Sequence, residues 1–454
     1  MAATREGRFN GRGALGPVAA HRSQLALHDV ARDSGATVDP DGAEGCLVVR
    51  RTYPAHDRYG SRSLGQYPSP SEVGLAQLSA SPTTPGADDG ERSADATRVD
   101  DDQRDSSSTV YFDLETSGLS GGAGTIPFVI GLGWFTAEGF ETCQYFLVSP
   151  TAECRALDLV TDVFCRARTL VTFNGRSFDG PMTESRYAFH RRACPLQRLR
   201  HVDLLHPSRH LWRGDEGRLV SLERDVLGVH RVGDVPGAEI PGRYHAFLRT
   251  GDAALVAPVL EHNRLDLVSL GLLTGLTCAL LQDGALSTVG ASQAFGLGRI
   301  FEKLNRLDDA VACYRRATRP DPRVRSRTSR MSPRRPSRAV VRAEIEAAAE
   351  ALARLGAIYR RQRRYEEAAQ TWARLLSAPA ATGRLRREAT VALAIHHEHR
   401  ERDLEAAHSY ARAALAADDS PTHRHAVEHR LTRLGKKLRN SRAGVGDIHT
   451  GFDW

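Results

Sequence analysis

Residues 109–119, Thr-Val-Tyr-Phe-Asp-Leu-Glu-Thr-Ser-Gly-Leu, constrain the fold of this 454-residue chain more than any other stretch. The β-branched and aromatic run reads as a short strand that ends in two acids and a glycine turn. Side chains alternate along a strand, so Asp113 and Glu115 share one face while Phe112 and Leu114 point into a core. Two carboxylates on one face of a rigid strand repel each other unless a cation lies between them, and hard divalent cations take such oxygen ligands. A bare D-x-E at a strand end is most often a pair of solvated acids. Here it closes an apolar strand and is followed by Thr116, Ser117, Gly118 and Leu119, a much rarer setting.

Two further aspartates stand in defined local contexts. Asn174-Gly175-Arg176-Ser177-Phe178-Asp179 follows the apolar strand Leu170–Phe173, and a helix is expected over Ser177–Arg192 with Ser177 as its N-cap. Asp179 then sits in the first turn, at the C-terminal rim where α/β sheets present their sites. His262-Asn263-Arg264-Leu265-Asp266 lies within a long, nearly all-apolar helical stretch, Asp252–Leu281, with Pro258 as its expected point of interruption. Residues four apart share a helix face, so His262 and Asp266 do. An aspartate in such a run is costly to bury as an ion unless it is paired or liganded. A histidine there is more readily a satisfied packing residue.

These stretches resemble the motifs of the DEDD (DnaQ-like) 3′–5′ exonucleases, the first of which reads D-x-E-T-[TS]-G and the second N-x-x-x-[FY]-D. The third motif departs from the pattern. One DEDD branch uses H-x4-D and another Y-x3-D; this chain has the spacing of the second with the residue of the first, and Glu261 holds the H-x4-D position. With residues 218–228 (RLVSLERDVLG) and 233–241 (GDVPGAEIP) between the second and third motifs, the spacing looks like the bacterial YprB-type ribonuclease H-like family over roughly 45–282.

That resemblance implies hydrolysis of nucleic acid from a 3′ end, DNA ahead of RNA, with repair as a setting. It implies two Mg²⁺ or Mn²⁺ ions held by Asp113, Glu115, Asp179 and Asp266, with His262 as general base. Thr116, Gly118 and Leu119 would meet the terminal nucleotide, and Asn174 would orient the substrate or its own loop. Two other readings compete: a tetratricopeptide scaffold whose nuclease domain only binds nucleic acid, and a structure-selective endonuclease on the same fold.

Residues 108–282 alternate as an α/β domain. The short strand that opens residues 109–119 and the strands Thr125–Phe135 and Glu141–Val148, the last two joined through Ala137-Glu138-Gly139, are followed by a helix, the strand Thr169–Phe173, a second helix and the strand His201–Leu205. This is the order of a mixed five-stranded ribonuclease H-like sheet. Leu219, Leu222 and Val226 form the apolar face of a short helix that Gly228 stops. Residues 1–107 are expected to be largely disordered, since Ala87–Asp105 carries eight acids against three arginines. Cys46–Tyr53 is an island there, read either as a strand docking on the next domain or as a transient apolar patch.

Residues 293–435 repeat. Gly298…Tyr314 aligns with Gly356…Trp372 at an offset of 58, and a third copy, Ala394…Tyr410, follows at 38. Small residues where helices touch, with an aromatic four beyond the alanine, are tetratricopeptide features, and the resemblance also implies such repeats, with a protein partner on them. Arg319–Arg342, with nine arginines, lengthens the first copy as a basic insert, and residues 436–454 are expected to be a flexible tail. His396, His397 and His399 are read as surface residues.

The net charge of +7 carries little weight, because only three of the 62 basic residues are lysines. The seven cysteines form no C-x-x-C, which points to a reducing cytoplasm. Arg5 and Arg8 precede no apolar stretch, so no signal peptide is expected, and no apolar run is expected to cross a bilayer.

Overall fold

The structure, a computed structural model, describes residues 27–28, 31, 37–38, 45–66, 70–79, 109–118, 124–212, 217–319, 338–416 and 421–446. The expected disorder of most of 1–107, the bulk of the basic insert and the last eight residues of the tail lie outside these. The chain divides into two compact units, residues 1–209 with 214–282, and residues 210–213 with 283–454.

The first unit is built on a sheet of β1 (Thr37–Val38), β2 (Cys46–Pro54), β5 (Thr109–Thr116), β6 (Pro127–Phe135), β7 (Gly139–Leu147), β8 (Thr169–Thr172) and β9 (Arg200–Asp203). A separate ribbon pairs β3 (Arg58–Tyr59) with β4 (Arg62–Ser63). The sheet order is β1-β2-β7-β6-β5-β8-β9, seven strands rather than the five expected. The extra width comes from the upstream segment: β2 pairs antiparallel with β7 from Cys46↔Leu147 to Pro54↔Gly139, and β1 pairs with β2. A β7 edge would otherwise present a row of unpaired backbone groups. At the other side β8 and β9 run parallel to β5.

The helices of this unit are α1 (Glu72–Ser79), α2 (Glu153–Arg166), α3 (Asp179–Phe189), α4 (Leu205–Leu211, whose last two residues fall in the second unit), α5 (Leu219–Leu222), α6 (Ile240–Thr250) and α7 (Ala257–Asp283). Phe112 meets Phe164 of α2 edge to face, 5.4 Å between centroids, and Tyr244 of α6 stacks on Phe128 at 4.0 Å. Burying each such ring stabilises the fold by about 1.5–3 kcal/mol. The short helix α5 runs into a wider turn over Glu223–Leu227, and Gly228, at φ 72°, ends it in the left-handed conformation.

Two local expectations are corrected. Helix α3 begins at Asp179 with Phe178 before it, so Ser177 is not its cap. A turn intervenes, closed by the Gly180 N–H donating to Gly175 O. The long helix is not broken at Pro258, which occupies its second residue, where a missing N–H costs no intrahelical bond. A short 3-10 turn, Ala253–Leu255, precedes it. By length and composition the stretch Ala253–Ser287 could cross a bilayer, contrary to expectation, yet 72% of its apolar window is buried inside the protein. It is apolar on most of its surface because protein covers most of it.

The second unit stacks helices in pairs: α8 (Gly290–Lys303), α9 (Leu307–Ala317), α10 (Arg338–Arg361), α11 (Tyr365–Leu376), α12 (Gly383–His396), α13 (Leu404–Ala416) and α14 (Pro421–Gly446). The repeat has a steric cause. A Cβ at Gly298 would lie 2.6 Å from the Tyr314 ring, and one at Gly356 2.5 Å from the Trp372 indole. Helix α14 runs through to Gly446, so residues 436–446 are helical and not a tail. His396 is also not a surface residue: it is 8% exposed, on the inner face of α12, with Nε2 3.2 Å from Glu401.

Candidate active site

Asp113 and Glu115 end β5, Asp179 opens α3 just beyond the parallel strand β8, and Asp266 lies on α7. Parallel pairing sets the C-terminal ends of β5 and β8 side by side, and the four acids lie close enough there to act on one another electrostatically. Burial, then the charges of Asp266, Glu115 and Asp179, push the Asp113 carboxyl well above the usual carboxylate range. Glu115 is raised likewise, by burial and then by Asp266 and Asp179. Asp179 is raised to about 7 by burial, then by Asp203 and, against a backbone hydrogen bond, by Asp266. A buried cluster of like-charged, hard oxygen donors fits divalent ions such as Mg²⁺ or Mn²⁺, which would relieve the repulsion that raises these groups.

Asp113 and Asp266 are gripped directly by neighbours, and the loop that leads to Asp179 is fastened from below. The Asn263 amide Nδ2 donates to Asp113 Oδ2 at 2.8 Å and to Asp113 O at 3.2 Å. Gln144 Nε2 in turn donates to Asn263 Oδ1 at 2.9 Å and to Leu260 O at 2.8 Å. Gly131, opposite Asp113 in the sheet, makes room: a Cβ there would run into Asn263 Oδ1. The loop before Asp179 hangs on buried Asp203, which accepts backbone N–H bonds from Asn174 (2.8 Å), Leu205 (3.0 Å) and Arg176 (3.1 Å). Asn174 is left-handed at φ 68° with an exposed side chain. Its contribution to the loop is therefore made by its backbone.

The turn after Glu115 is fastened too. Thr116 Oγ1 donates to Gly118 O at 2.8 Å, and Ser117 exchanges bonds with Ile126. Leu119 lies outside the described residues.

His262 places Nε2 3.8 Å from Asp266 Oδ2 and Nδ1 2.6 Å from Asp234 Oδ1. A carboxylate can only accept, so the short contact to Asp234 is a hydrogen bond when the proton sits on Nδ1, while Arg231 Nη1, 3.3 Å from the same nitrogen, can only donate and competes for it. Asp266 Oδ1 accepts from the Arg231 guanidinium, which also grips Glu223 and reaches Asp234 at 3.4 Å. Glu261, the residue at the H-x4-D position, pairs with Arg264 and keeps 48% of its side chain exposed.

Sequence reasoning brought forward the four acids and His262 but assigned nothing to Asn263, Gln144, Asp203, Glu223, Arg231 or Asp234. Glu223 and Asp234 lie in stretches whose spacing carried the family resemblance, and a buried-acid pattern, Leu222-Glu223 before an apolar helix end, was the available signal.

A mixed sheet with acids gathered at the ends of its central strands, covered by an acid-bearing helix, defines a ribonuclease H-like nuclease-class domain. Residues 110–277 match the RNase_H superfamily, and residues 294–326 and 351–385 match the tetratricopeptide repeat, so the chain carries a ribonuclease H superfamily domain followed by tetratricopeptide repeats. It is similar to the uncharacterized protein YprB of Bacillus subtilis (strain 168), at 28% identity over 334 residues, covering 72% of this chain and 74% of that one.

Proposed function

We propose that this protein is a metal-dependent 3′–5′ exonuclease that hydrolyses phosphodiester bonds, with DNA as its preferred substrate. The observation that carries the reading is the electrostatic coupling of Asp113, Glu115, Asp179 and Asp266, drawn from three separated motifs, at one end of the sheet. Those four residues would hold two Mg²⁺ or Mn²⁺ ions. When bound, such ions activate water and stabilise the leaving 3′ oxygen. His262 takes a proton from the attacking water at Nε2, with Asp234 on Nδ1 fixing the ring and stabilising the charged form. The fastened turn of Thr116 and Gly118, with Leu119 beyond it, meets the terminal nucleotide. The tetratricopeptide unit offers a surface for a protein partner.

The test is digestion of 5′-labelled single- and double-stranded DNA and RNA by the full-length protein, with Mg²⁺, Mn²⁺ or EDTA. A metal-dependent ladder receding from the 3′ end is the expected result. Internal cuts would replace this reading with an endonuclease, and binding without cleavage with a scaffold.

A further inference from the structure

We propose that Arg231 is a positioning residue of the metal centre: clamped by Glu223, it holds Asp266 by one carboxylate oxygen and thereby sets the affinity of the cluster for divalent ions. This rests on the metal-dependent reading above and deepens it.

Arg231 has 3% of its side chain exposed, and its fork is fully engaged. Nε donates to Glu223 Oε2 at 2.7 Å and Nη2 to Glu223 Oε1 at 2.5 Å, a bidentate grip that fixes the guanidinium plane. With the plane fixed, Nη2 also reaches Asp266 Oδ1. Asp266 Oδ2 is left on the side of His262 Nε2, 3.8 Å away.

Glu223 is itself anchored from behind by Ser269 and, through it, by Tyr59. A carboxylate accepts only, so Ser269 spends its hydroxyl proton on Glu223. Tyr59 OH lies 2.9 Å from Ser269 Oγ and 3.4 Å from Leu265 O, so with the Ser269 proton on Glu223 it donates to Ser269 as the nearer acceptor. The relay reads Tyr59 to Ser269 to Glu223, with Arg231 bridging Glu223 and Asp266. It begins on the β3–β4 ribbon and ends on an acid of the site.

Such a device is a poor way to add stability, because a buried ion pair roughly repays its own desolvation. What it supplies is a fixed place for one carboxylate that three others repel. Lysine cannot replace it: a point charge on a flexible stem lacks the fork that grips Glu223 while reaching Asp266. Arg231→Lys thus keeps the charge and removes the geometry.

The experiment titrates Mn²⁺ into full-length wild type and Arg231→Lys by electron paramagnetic resonance, which reads bound ion without turnover, alongside the Mn²⁺ dependence of cleavage. Removing a support of this kind raises the Mn²⁺ midpoint by roughly tenfold or more, and excess Mn²⁺ recovers much of the lost rate. Should Arg231→Lys fail to fold by circular dichroism, Glu223→Gln, of nearly equal volume, must show a smaller shift in the same direction. An unchanged or tighter Mn²⁺ midpoint in the folded variant overturns the proposal while leaving the nuclease reading standing. A wild type that binds no Mn²⁺ overturns both.

Discussion

Asn263 donates its side-chain amide to Asp113, so the helix that carries Asp266 also grips the strand that carries the first acid. One residue of the third motif is thus the fastener of the first. The pair is separated by 150 positions in the chain, and Gly131 is what lets them meet.

Gly131→Ala should therefore displace Asn263 and loosen Asp113. Overpacking of this kind costs about 1–3 kcal/mol, and the hydrolysis rate should fall with it. Urea denaturation and cleavage assays on the same preparation check both. A variant with wild-type stability and rate would mean that the Asn263 bond is dispensable.

Asp113→Ala and Asp179→Ala should each abolish hydrolysis and leave the far-ultraviolet circular dichroism unchanged, because both residues stand on rigid elements and both belong to the cluster. Retention of the wild-type rate in either would sink the four-acid assignment.

The metal-free protein should lose stability as pH rises. Asp179 has a folded-state value raised from 3.8 to about 7, so the folded chain holds its proton more tightly than the unfolded one. The stability this contributes is full below 3.8 and is lost as pH climbs through about 7. Asp113 and Glu115, also raised, act with the same sign. Melting temperatures in EDTA should fall across this window, Asp179→Asn should flatten the fall, and Mn²⁺ should reverse it. A melting temperature that rises through the window in EDTA would contradict the cluster's electrostatics.

His262→Ala should bind Mn²⁺ and lose roughly 10²–10⁴-fold in rate, the usual contribution of a general base. Its residual rate should climb with pH, since hydroxide can stand in for the base. Asp234→Asn should lower the rate by less. If His262→Ala turns over normally with an unchanged pH profile, His262 is a packing residue.

The elements that could be read from sequence are those whose evidence is local. The alternation Tyr111-Phe112-Asp113-Leu114-Glu115 fixes which side chains face the site, and the Gly298–Tyr314 and Gly356–Trp372 pairs announce the repeats. What escaped depends on partners far along the chain. The start of α3 is set by Asp203, 27 to 29 residues beyond the amides it holds, and no cap rule at Ser177 could foresee that. Arg231 lies in an irregular stretch with no hydrophobic period, and its burial follows from Glu223 and Asp266. His396 stands beside two other histidines that suggest a polar surface, yet helical geometry turns it inward.

The antiparallel pairing of β2 with β7 has a consequence for synthesis. Arg50 must wait for Cys143, and Tyr59 for Ser269, 210 positions later. Contacts of such long sequence separation form slowly, because a large loop must close before they repay its entropy. As the chain emerges from the ribosome, the edge of β2 that faces β7 stays open until nearly a hundred further residues have followed. The Tyr59 relay cannot close until the last helix of the first unit has emerged. The first unit is thus a domain that closes late and as a whole, with an open strand edge in the interval.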